Sequence, residues 1–336
     1  MPQIRINAPA KLNLHLNVGK RRPDGFHDIE SLFLALAYGD TLSFEIFPSE
    51  LALPSENTEI ILDWQLPWGS PNDLSPEKNI VMRAVSLFRE RTGFDKRLKI
   101  VLEKRIPLGG GLGGGSSDAA AALLALNRLA SLEGLTPNGK GLLPDGKGLV
   151  SDAILAEMGA SLGSDVPFFL QIALNEAPIA WVSGRGELVR PFFPPPQVQN
   201  LSLVLVNPGF PSDTAKSFRL LDEYRATEQQ IPVFIPHSSF LIPHSPRDWP
   251  FTNDFLSVFE AGYRQKKKDS GFFSAYQEII STLKEMGADF SGLSGSGSTC
   301  FGVFSSQSKA RTAREVLLKR WNFVIETFSL AFRTIQ

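Results

Sequence analysis

The sequence predicts an α+β protein of two domains. Its 336 residues are enough for about two domains of ordinary size. The N-terminal half combines strands of period-two alternation with stretches of helical spacing, and the C-terminal half is typical of helices packed on a small sheet. Three consecutive prolines in the segment 191–197 (PFFPPPQ) can continue neither a helix nor a central strand, so they indicate a linker. We therefore expect domains at 1–195 and 196–336.

The first strand is predicted over residues 2–18, where apolar and polar side chains alternate. Ile4, Ile6 and Ala8 share one face. After Pro9 the apolar positions are Leu12, Leu14, Leu16 and Val18. The polar positions that must line up on the opposite face are Lys11, Asn13, His15 and Asn17. Period two predicts a half-buried strand.

The next predicted elements lead to a glycine-rich loop. Asp24-Gly25 is a hairpin-turn signal. The segment 48–76 is rich in Pro, Ser and Asn, and it is predicted to be a long connection. Residues 79–93 have helical spacing and end in glycine, and residues 97–106 predict the strand that runs into the loop.

Shorter elements are predicted beyond the loop. The segment 136–150 carries NGKG and DGKG turn signals and is predicted to be an exposed insertion. The other predictions, in chain order, are a capped helix at 151–159, a strand at 163–170, a buried strand at 201–209, a loop at 226–250, helices at 273–286 and 307–321, and a strand at 323–328.

Composition argues against several classes of protein. The formal net charge is −1 and the isoelectric point is near 6.5, so no chain-wide basic field would attract nucleic acid. The basic run 264–268 (RQKKK) is expected to be a solvated face. The single cysteine, Cys300, excludes an internal disulfide and fits a reducing compartment. No apolar run approaches the ~18 residues of a membrane helix, and no transit segment precedes the first strand. We expect a cytoplasmic, bacterial protein.

The stretch PLGGGLGGGSSDAAAALLALN, residues 107–127, is typical of a phosphate-binding loop followed by a helix. Glycines let the backbone approach an anion, and a helix capped by Ser116 or Ser117 would add its positive dipole end. A P-loop is excluded because Ser116 stands where the lysine would be. A dinucleotide pattern G-x-G-x-x-G is present, but the expected βαβ context is poor. A flexible linker is disfavoured by the well-formed strand and helix on either side.

A phosphate loop without its own lysine needs a cation from elsewhere, because phosphoryl transfer depends on positioning and charge neutralisation. Lys11 is the best candidate, although an exposed lysine at a sheet edge would give the same pattern. Asp165 could accept a proton from an acceptor hydroxyl, although a turn aspartate is often a cap. The glycine cluster at 292–302 could form a second backbone wall beside phosphates or only a tight turn.

Three segments taken together resemble the GHMP kinase superfamily. They are 8–36 (APAKLNLHLNVGKRRPDGFHDIESLFLAL), 107–127 and 293–304 (LSGSGSTCFGVF), and they occur in the order and spacing of its three motifs. Within it, the DGFH turn, the segment 163–170 (GSDVPFFL) and the segment 207–218 (NPGFPSDTAKSF) resemble the kinases of 4-diphosphocytidyl-2-C-methyl-D-erythritol. Homoserine, mevalonate and galactose kinases share the glycine loop but not the PAK-x-N and DG(F/Y)H combination. The resemblance covers nearly the whole chain.

The resemblance implies a fold and a reaction. The fold is an N-terminal domain like domain 2 of ribosomal protein S5 and a C-terminal ferredoxin-like domain, with the active site in the cleft between. The enzyme would use ATP to phosphorylate the tertiary 2-hydroxyl of 4-diphosphocytidyl-2-C-methyl-D-erythritol, giving the 2-phosphate and ADP, in the non-mevalonate route to isoprenoid precursors. Mg²⁺ would be bound through the nucleotide phosphates, with no separate metal site in the protein.

Partners and alternatives follow from the same reasoning. We expect a small-molecule substrate, no nucleic acid, no membrane, and a monomer or weak homodimer. Another GHMP small-molecule kinase, such as a homoserine or mevalonate kinase, is the first alternative. A nucleotide-binding module without catalysis and a nicotinamide dehydrogenase are the alternatives from other classes.

Carried over residue by residue, the resemblance implies a catalytic pair, a nucleotide site and a substrate site. Asp165 matches the catalytic acid and Lys11 the lysine beside it, while Asn79 falls where the family contacts adenine. The ATP phosphate loop is implied at Pro107, Leu108, Gly109, Gly110, Gly111, Leu112, Gly113, Gly114, Gly115, Ser116 and Ser117. The substrate site is implied at Asn13, Phe26, His27, Thr214 and Phe218, with His27 on the cytosine edge.

The sequence departs from the family pattern in three places. Phe26 stands where the family often has Tyr, which keeps the ring that stacks on cytosine and removes the hydroxyl. The insertion at 136–150 has no assigned role. The segment 222–270 fits the pattern weakly, so no substrate contact is predicted there.

Overall fold

The protein is described by a computed structural model over residues 2–47, 58–70, 79–134, 149–175, 177–193, 200–227, 243, 245–265 and 271–331. The chain forms two compact units, each assembled from segments that are distant in the sequence. The first unit comprises Met1–Ala10, Gly39–Ile106 and Gly114–Asn175, and the second comprises Lys11–Tyr38, Pro107–Gly113 and Glu176–Gln336.

The elements alternate between strands and helices along the chain. The strands of the described part are Gln3–Arg21 (β1), His27–Ile46 (β2), Thr58–Trp64 (β3), Leu98–Lys104 (β4), Ile179–Ser183 (β5), Leu188–Pro191 (β6), Ser202–Asn207 (β7), Phe290–Leu293 (β8), Cys300–Phe304 (β9) and Phe323–Phe328 (β10). Its α-helices are Ile80–Thr92 (α1), Gly114–Leu132 (α2), Asp152–Leu162 (α3), Val166–Asn175 (α4), Thr214–Thr227 (α5), Asp254–Arg264 (α6), Phe273–Glu285 (α7) and Gln307–Leu317 (α8). The α+β prediction is confirmed.

In the first unit β4 is the central strand. It pairs in parallel with β3 and antiparallel with residues 41–46 of β2. Its side chains alternate between the two faces, so Leu98, Ile100 and Leu102 are buried together. Helix α2 is buried on most of its circumference, and its run of alanines suits that crowding because alanine has no long side chain to place.

The second unit contains an antiparallel sheet in the order β10–β7–β9–β8. Its core joins Val204 and Val206 of β7 to side chains from α5, α6, α7 and α8. Elsewhere in this unit, residues 31–34 of β2 pair antiparallel with β5, and β5 pairs with β6. The predicted turn at Asp24-Gly25 is confirmed: β1 ends before it, β2 begins after it, and Gly25 has φ +86°.

The prediction of a half-buried first strand is confirmed for residues 3–8, where exposed and more buried side chains alternate, and is wrong for the rest of the strand. Lys11, Asn13, His15 and Asn17 are all buried, as are the apolar residues between them. Alternation indicates half-burial only when the polar face meets water, whereas these polar groups have partners inside the protein. Pro9 also leaves β1 unbroken.

The prediction of a strand at 163–170 is wrong as well, because Val166 begins α4. A short apolar run fits a buried strand and a buried helix equally well. Pro167 favours the helix, because proline is tolerated in the first turn of a helix, where the missing N–H costs little free energy. In the same way α2 begins at Gly114, so Ser116 and Ser117 lie inside its first turn and do not cap it.

Other differences concern elements that the sequence signals only weakly. Strand β3 lies inside the predicted connection 48–76, where the surrounding Pro and Ser hide its alternation. Helices α5 and α6 have no predicted counterpart, and α8 ends at Leu317, earlier than predicted. Most of the 136–150 insertion and of the 226–250 loop, residues 194–197 of the linker and residues 266–268 of the basic run lie outside the described residues. The division at 195/196 stays a prediction.

Candidate active site

The glycine loop, Pro107–Gly113, is held by its carbonyl groups. Four consecutive carbonyl oxygens each accept a hydrogen bond from the second unit, and the donors lie in three of its segments. The bonds run from Ser212 N–H to Gly109 (2.9 Å), from Thr299 N–H to Gly110 (3.1 Å), from the Ser294 hydroxyl to Gly111 (2.8 Å) and from Lys11 N–H to Leu112 (2.9 Å). The loop is thus fixed at every residue along this stretch.

The opposite side of the loop presents N–H groups. In a planar trans peptide the N–H points away from the carbonyl of the same unit. Because the carbonyls of Gly110, Gly111 and Leu112 point at the protein, the N–H groups of Gly111, Leu112 and Gly113 point the other way. A row of such N–H groups is a nest for an anion.

Gly111 is required at the centre of the loop for two reasons. Its φ is +74°, in the left-handed region that side chains disfavour. A Cβ at this position would lie 2.1 Å from the carbonyl oxygen of Ser294 and 2.8 Å from that of Gly297. The loop therefore approaches the 293–304 segment so closely that only glycine fits.

The Ser294 hydroxyl joins the three segments on which the family resemblance rests. It accepts a hydrogen bond from the N–H of Asn13 (3.2 Å) while it donates to the carbonyl of Gly111. Asn207 adds a second tie, donating from Nδ2 to the hydroxyls of Ser298 (3.1 Å) and Thr299 (3.0 Å). The predicted second backbone wall is therefore a direct support of the loop's carbonyl side.

The Lys11 ammonium is buried and oriented by β1 and β2. It donates to Oδ1 of Asn13 (2.6 Å) and lies 4.4 Å from the ring centroid of Phe33. Asn13 donates in turn to the hydroxyl of Ser31 (2.9 Å), which donates to the carbonyl of His15. This chain of bonds fixes a positive charge in a low-dielectric setting, where its field is strong.

Two predicted nucleotide contacts in the first unit carry polar atoms with no hydrogen-bond partner among the described residues. Asn79 is the N-cap of α1: its Oδ1 accepts from Val81 N–H (2.9 Å), while its Nδ2 is buried without a partner. The buried hydroxyl of Ser117 also lacks one. Buried polar groups are normally paired, so both atoms fit a site that a ligand completes.

The sequence analysis did not identify a second buried lysine. Lys104, at the end of β4, donates to Oδ2 of Asp40 (2.5 Å) and to Oδ2 of Asp118 (2.8 Å), and all three side chains are buried. Oδ1 of Asp40 accepts from the N–H groups of Arg105 (2.5 Å) and Ile106 (2.8 Å). The cluster ties the last residues before the glycine loop to the first turns of α2, which contain Asp118.

The cluster holds more negative than positive charge, so it takes up a proton. Burial raises the pKa of Asp118 to about 8, although the neighbouring Lys104 works in the opposite direction. Burial also lowers the pKa of Lys104, but attraction to Asp118 and Asp40 outweighs it and the pKa is raised overall. Burial therefore favours the protonated form of Asp118 beside a charged Lys104.

A sequence signal for Lys104 did exist. It falls in register with Leu98, Ile100 and Leu102, on the buried face of β4. A lysine on an apolar face needs a buried partner, which would have directed attention to nearby aspartates.

The predicted substrate residues lie in the second unit. His27 is buried, with its ring 5.0 Å from that of Phe218 in a stacked arrangement. Phe26 is 54% exposed, with the guanidinium carbon of Arg185 5.2 Å from its ring centroid. The hydroxyl of Thr214 lies 3.0 Å from that of Ser296.

The two predicted catalytic residues belong to different units. Lys11 is in the second unit, and Asp165 is in the first, at the turn between α3 and α4. Their mutual approach stays a prediction. Among the described residues no group of three or more His, Cys, Asp or Glu side chains could hold a metal ion, and no helix is long and apolar enough to span a membrane.

Comparison with known proteins decides the family. The model of the GHMP kinases N terminal domain matches residues 79–171, and that of the GHMP kinases C terminal domain matches residues 271–322. The 4-diphosphocytidyl-2-C-methyl-D-erythritol kinase of Thermodesulfovibrio yellowstonii is 33% identical, over 96% of this chain and 98% of the relative. The chain belongs to this kinase family.

Further members of the family agree. The kinase of the same name from Anaeromyxobacter dehalogenans is 36% identical over 91% of this chain and 82% of its own length. The kinase from Treponema pallidum is 32% identical over 96% of this chain and 97% of its own length. A crystal structure of 4-(cytidine 5′-diphospho)-2C-methyl-D-erythritol kinase is 29% identical, covers 98% of this chain and 100% of its own, and has a TM-score of 0.69.

More distant structures share the fold. A homoserine kinase from Cytophaga hutchinsonii is 16% identical with a TM-score of 0.57, covering 98% of this chain and 95% of its own. The Methanococcus jannaschii mevalonate kinase is 13% identical with a TM-score of 0.58, covering 98% of this chain and 99% of its own. The predicted two-domain GHMP kinase fold and the resemblance to this kinase family are confirmed. The roles of individual residues stay predictions.

Replacing Gly111 by alanine is expected to weaken nucleotide binding. The added Cβ would meet two carbonyl oxygens, and displacement of the loop would cost roughly 1–3 kcal/mol. This corresponds to a rise of about 5- to 150-fold in the Kd of a non-hydrolysable ATP analogue, measured by calorimetry. Gly93→Ala is the matched control, because Gly93 has φ +73° and open space around its Cβ position. Equal affinities for the wild type and Gly111→Ala would contradict the account of the loop.

Replacing Asp118 by asparagine is expected to change how stability depends on pH. The pKa of Asp118 is about 8 in the folded protein and about 3.9 in the unfolded chain, so the folded state holds the extra proton between those values. Stability from this group therefore falls as pH rises from about 4 to about 8. The Tm of the wild type should decline over pH 6 to 8 more steeply than that of Asp118→Asn. Parallel curves would show that Asp118 is ionised throughout.

Proposed function

We propose that the protein is an ATP-dependent kinase that phosphorylates the 2-hydroxyl of 4-diphosphocytidyl-2-C-methyl-D-erythritol. The products are the 2-phosphate and ADP, and the step belongs to the methylerythritol phosphate route to isoprenoids. Membership of the family supports the reaction. The observation in the structure that carries it is the glycine loop, whose anchored carbonyls turn three N–H groups outward for an anion.

The nucleotide is proposed to bind through residues 107–117 and Asn79. Oriented N–H groups and a helix N-terminus both favour phosphate, and the buried hydroxyl of Ser117 supplies a further donor. The orphaned Nδ2 of Asn79 suits a ring nitrogen of adenine, which is an acceptor. Magnesium, held through the nucleotide phosphates, would supply charge neutralisation.

Asp165 and Lys11 are proposed as the catalytic residues. Asp165 orients the substrate hydroxyl and accepts its proton, which makes the oxygen a better nucleophile. Lys11 offsets negative charge on the transferring phosphoryl group. The bonds that hold the Lys11 ammonium support this role, because preorganised charge needs no reorientation during the reaction.

The cytidine end of the substrate is proposed to bind Phe26, His27 and Phe218, with Asn13 and Thr214 nearer the methylerythritol. An exposed phenylalanine ring stacks on a base as tyrosine does, without the hydroxyl's hydrogen bond. Binding energy from this remote end would fix the reacting hydroxyl in line with the phosphate.

The alternatives receive less support. The homoserine and mevalonate kinases share the fold at 13–16% identity, whereas the curated relatives at 32–37% identity are kinases of the cytidyl compound. We also propose a bacterial cytoplasmic location, a monomer or weak homodimer, and no nucleic-acid partner. The last of these rests on the near-neutral charge.

The activity is tested by incubating the full chain with ATP, magnesium and the cytidyl substrate and recording phosphorus NMR. The expected result is a new phosphomonoester signal and an equal amount of ADP. Mevalonate and homoserine in parallel tubes should give no product. Phosphorylation of either of these, with the cytidyl substrate unchanged, would overturn the proposal in favour of a related kinase.

Asp165→Asn is expected to lower kcat by roughly 10²- to 10⁴-fold, because the amide cannot take the hydroxyl's proton. The Kd of the ATP analogue should change little. Asp152→Asn is the control, since Asp152 is an exposed carboxylate in the first turn of α3. A near wild-type rate for Asp165→Asn would remove this residue from the mechanism.

A further inference from the structure

Asn253 connects the start of α6 to the segment that supports the glycine loop. It is buried, and it lies in the segment 222–270, where the sequence predicts no substrate contact. Its Nδ2 donates to the carbonyl oxygens of Leu293 (2.8 Å) and Gly295 (2.9 Å). Its Oδ1 accepts from the N–H of Leu256 (3.2 Å), which makes Asn253 the N-cap of α6.

The partners of the Asn253 amide fix its orientation. The N–H of Leu256 can only donate, so it must meet the amide oxygen. The carbonyls of Leu293 and Gly295 can only accept, so they must face the NH₂ group, which offers a hydrogen for each. Because an asparagine amide does not titrate, this arrangement is the same at every pH at which the protein is folded.

The two carbonyls flank Ser294, the residue whose hydroxyl supports the glycine loop. That hydroxyl accepts from the N–H of Asn13 and donates to the carbonyl of Gly111. The bond to the Leu293 carbonyl fixes the peptide plane that enters Ser294, and the bond to the Gly295 carbonyl fixes a plane just after it. A single side chain therefore holds Ser294 from both sides.

The segment around Ser294 has little room to move. A Cβ at Gly295 would lie 3.4 Å from Oδ1 of Asn13 and 3.5 Å from Cα of Gly111. On the other side, a Cβ at Gly111 would meet the Ser294 carbonyl oxygen at 2.1 Å. Closely packed interiors transmit displacements, so a shift of the segment 293–295 would be passed to the loop.

The neighbours of Asn253 hold it against β1. The carbonyl of Thr252 accepts from the N–H of Leu16 (2.8 Å), and Oδ2 of Asp254 accepts from the N–H of Val18 (2.8 Å). Since both flanking residues are bonded to the strand, the Asn253 side chain projects from a fixed backbone.

We propose that Asn253 is a positioning residue for phosphoryl transfer, acting on the glycine loop through Ser294. This inference rests on the proposed function, in which the loop holds the phosphates of ATP. Asn253 joins β1 to the segment 293–295, so that two of the three segments that anchor the loop are tied to each other. Without the Nδ2 donor this segment relaxes, and the Ser294 hydroxyl no longer holds the Gly111 carbonyl in place.

Asn253→Ser separates this tie from the helix cap. Serine caps a helix about as well as asparagine, but its shorter side chain has no NH₂ group for the two carbonyls. We expect the Kd of a non-hydrolysable ATP analogue and the KM for ATP to rise roughly tenfold. The KM for the cytidyl substrate should change little, because other contacts hold the side chains proposed to bind it.

Three further variants complete the series. Asn253→Asp keeps the shape and the cap but sets a carboxylate oxygen against two carbonyl oxygens, so it should weaken the analogue at least as much as Asn253→Ser. Asn253→Ala removes the cap and the tie together. Ser245→Ala is the control, because Ser245 caps the short 3₁₀ helix Pro246–Asp248 in the same unit and leaves the tie intact.

The test combines calorimetry with magnesium and the ATP analogue, steady-state kinetics, and ¹⁵N–¹H spectra of the nucleotide-free proteins. In Asn253→Ser the amide signals of Gly111 and Leu112 should move, while that of Leu256 stays in place because its cap is kept. Weaker analogue binding in all three Asn253 variants, with Ser245→Ala at the wild-type value, supports the proposal.

Other outcomes separate the failure of this inference from that of the proposed function. If Asn253→Ser matches the wild type and only Asn253→Ala is impaired, Asn253 is merely a helix cap and the positioning role is overturned. Equal rises in KM for ATP and for the cytidyl substrate overturn it too, since they report a general loosening; in both cases wild-type turnover leaves the kinase assignment intact. If the wild type does not turn over the cytidyl substrate but Asn253→Ser still weakens the analogue, the positioning role stands and the proposed reaction fails.

Discussion

Four hydrogen bonds to consecutive carbonyls of the glycine loop are the constraint on which the rest of the site depends. The donors belong to three stretches of the second unit, so the loop can adopt its shape only after those stretches have come together. Since peptide N–H groups oppose their carbonyls, anchoring one side presents the other. The proposed anion site would therefore be a consequence of folding and would need no lysine in the loop to preform it.

The positive charges of interest are the ammonium groups of two buried lysines, and hydrogen bonds hold these side chains in place as they hold the loop. Lys11 is fixed by Asn13 and Phe33, and its own N–H is one of the four loop anchors. The other buried lysine, Lys104, has a different setting, because it donates to the carboxyl groups of Asp40 and Asp118. A lysine so enclosed fixes backbone position at the strand end.

How much the sequence could predict depended on whether a signal was local. The glycine loop, the helix end at Gly93 and the turn at Asp24-Gly25 are short-range patterns, and each appears in the structure. The GHMP fold followed from three motifs in a fixed order, which the comparisons with known kinases bear out. The apolar run after Asp165 was ambiguous between helix and strand, and only its proline could have decided it.

The sequence could not predict which distant residues contact each other in the folded protein. The sequence separates Asp40 from Lys104 by 64 positions, and Asn13 from Ser294 by 281, so no spacing rule connects them. Burial of both faces of β1 was equally hidden, because it depends on what covers the strand. Such contacts depend on tertiary packing, and the periodicity of a sequence does not report how its elements pack together.

The most direct test of the central claim is NMR of the loop amides. In deuterated, ¹⁵N-labelled protein, the signals of Gly111, Leu112 and Gly113 would be followed while magnesium and a non-hydrolysable ATP analogue are added. The account predicts large downfield proton shifts at these three amides, with couplings to phosphorus that report N–H to phosphate hydrogen bonds. Saturable nucleotide binding that leaves all three amide signals in place would contradict it.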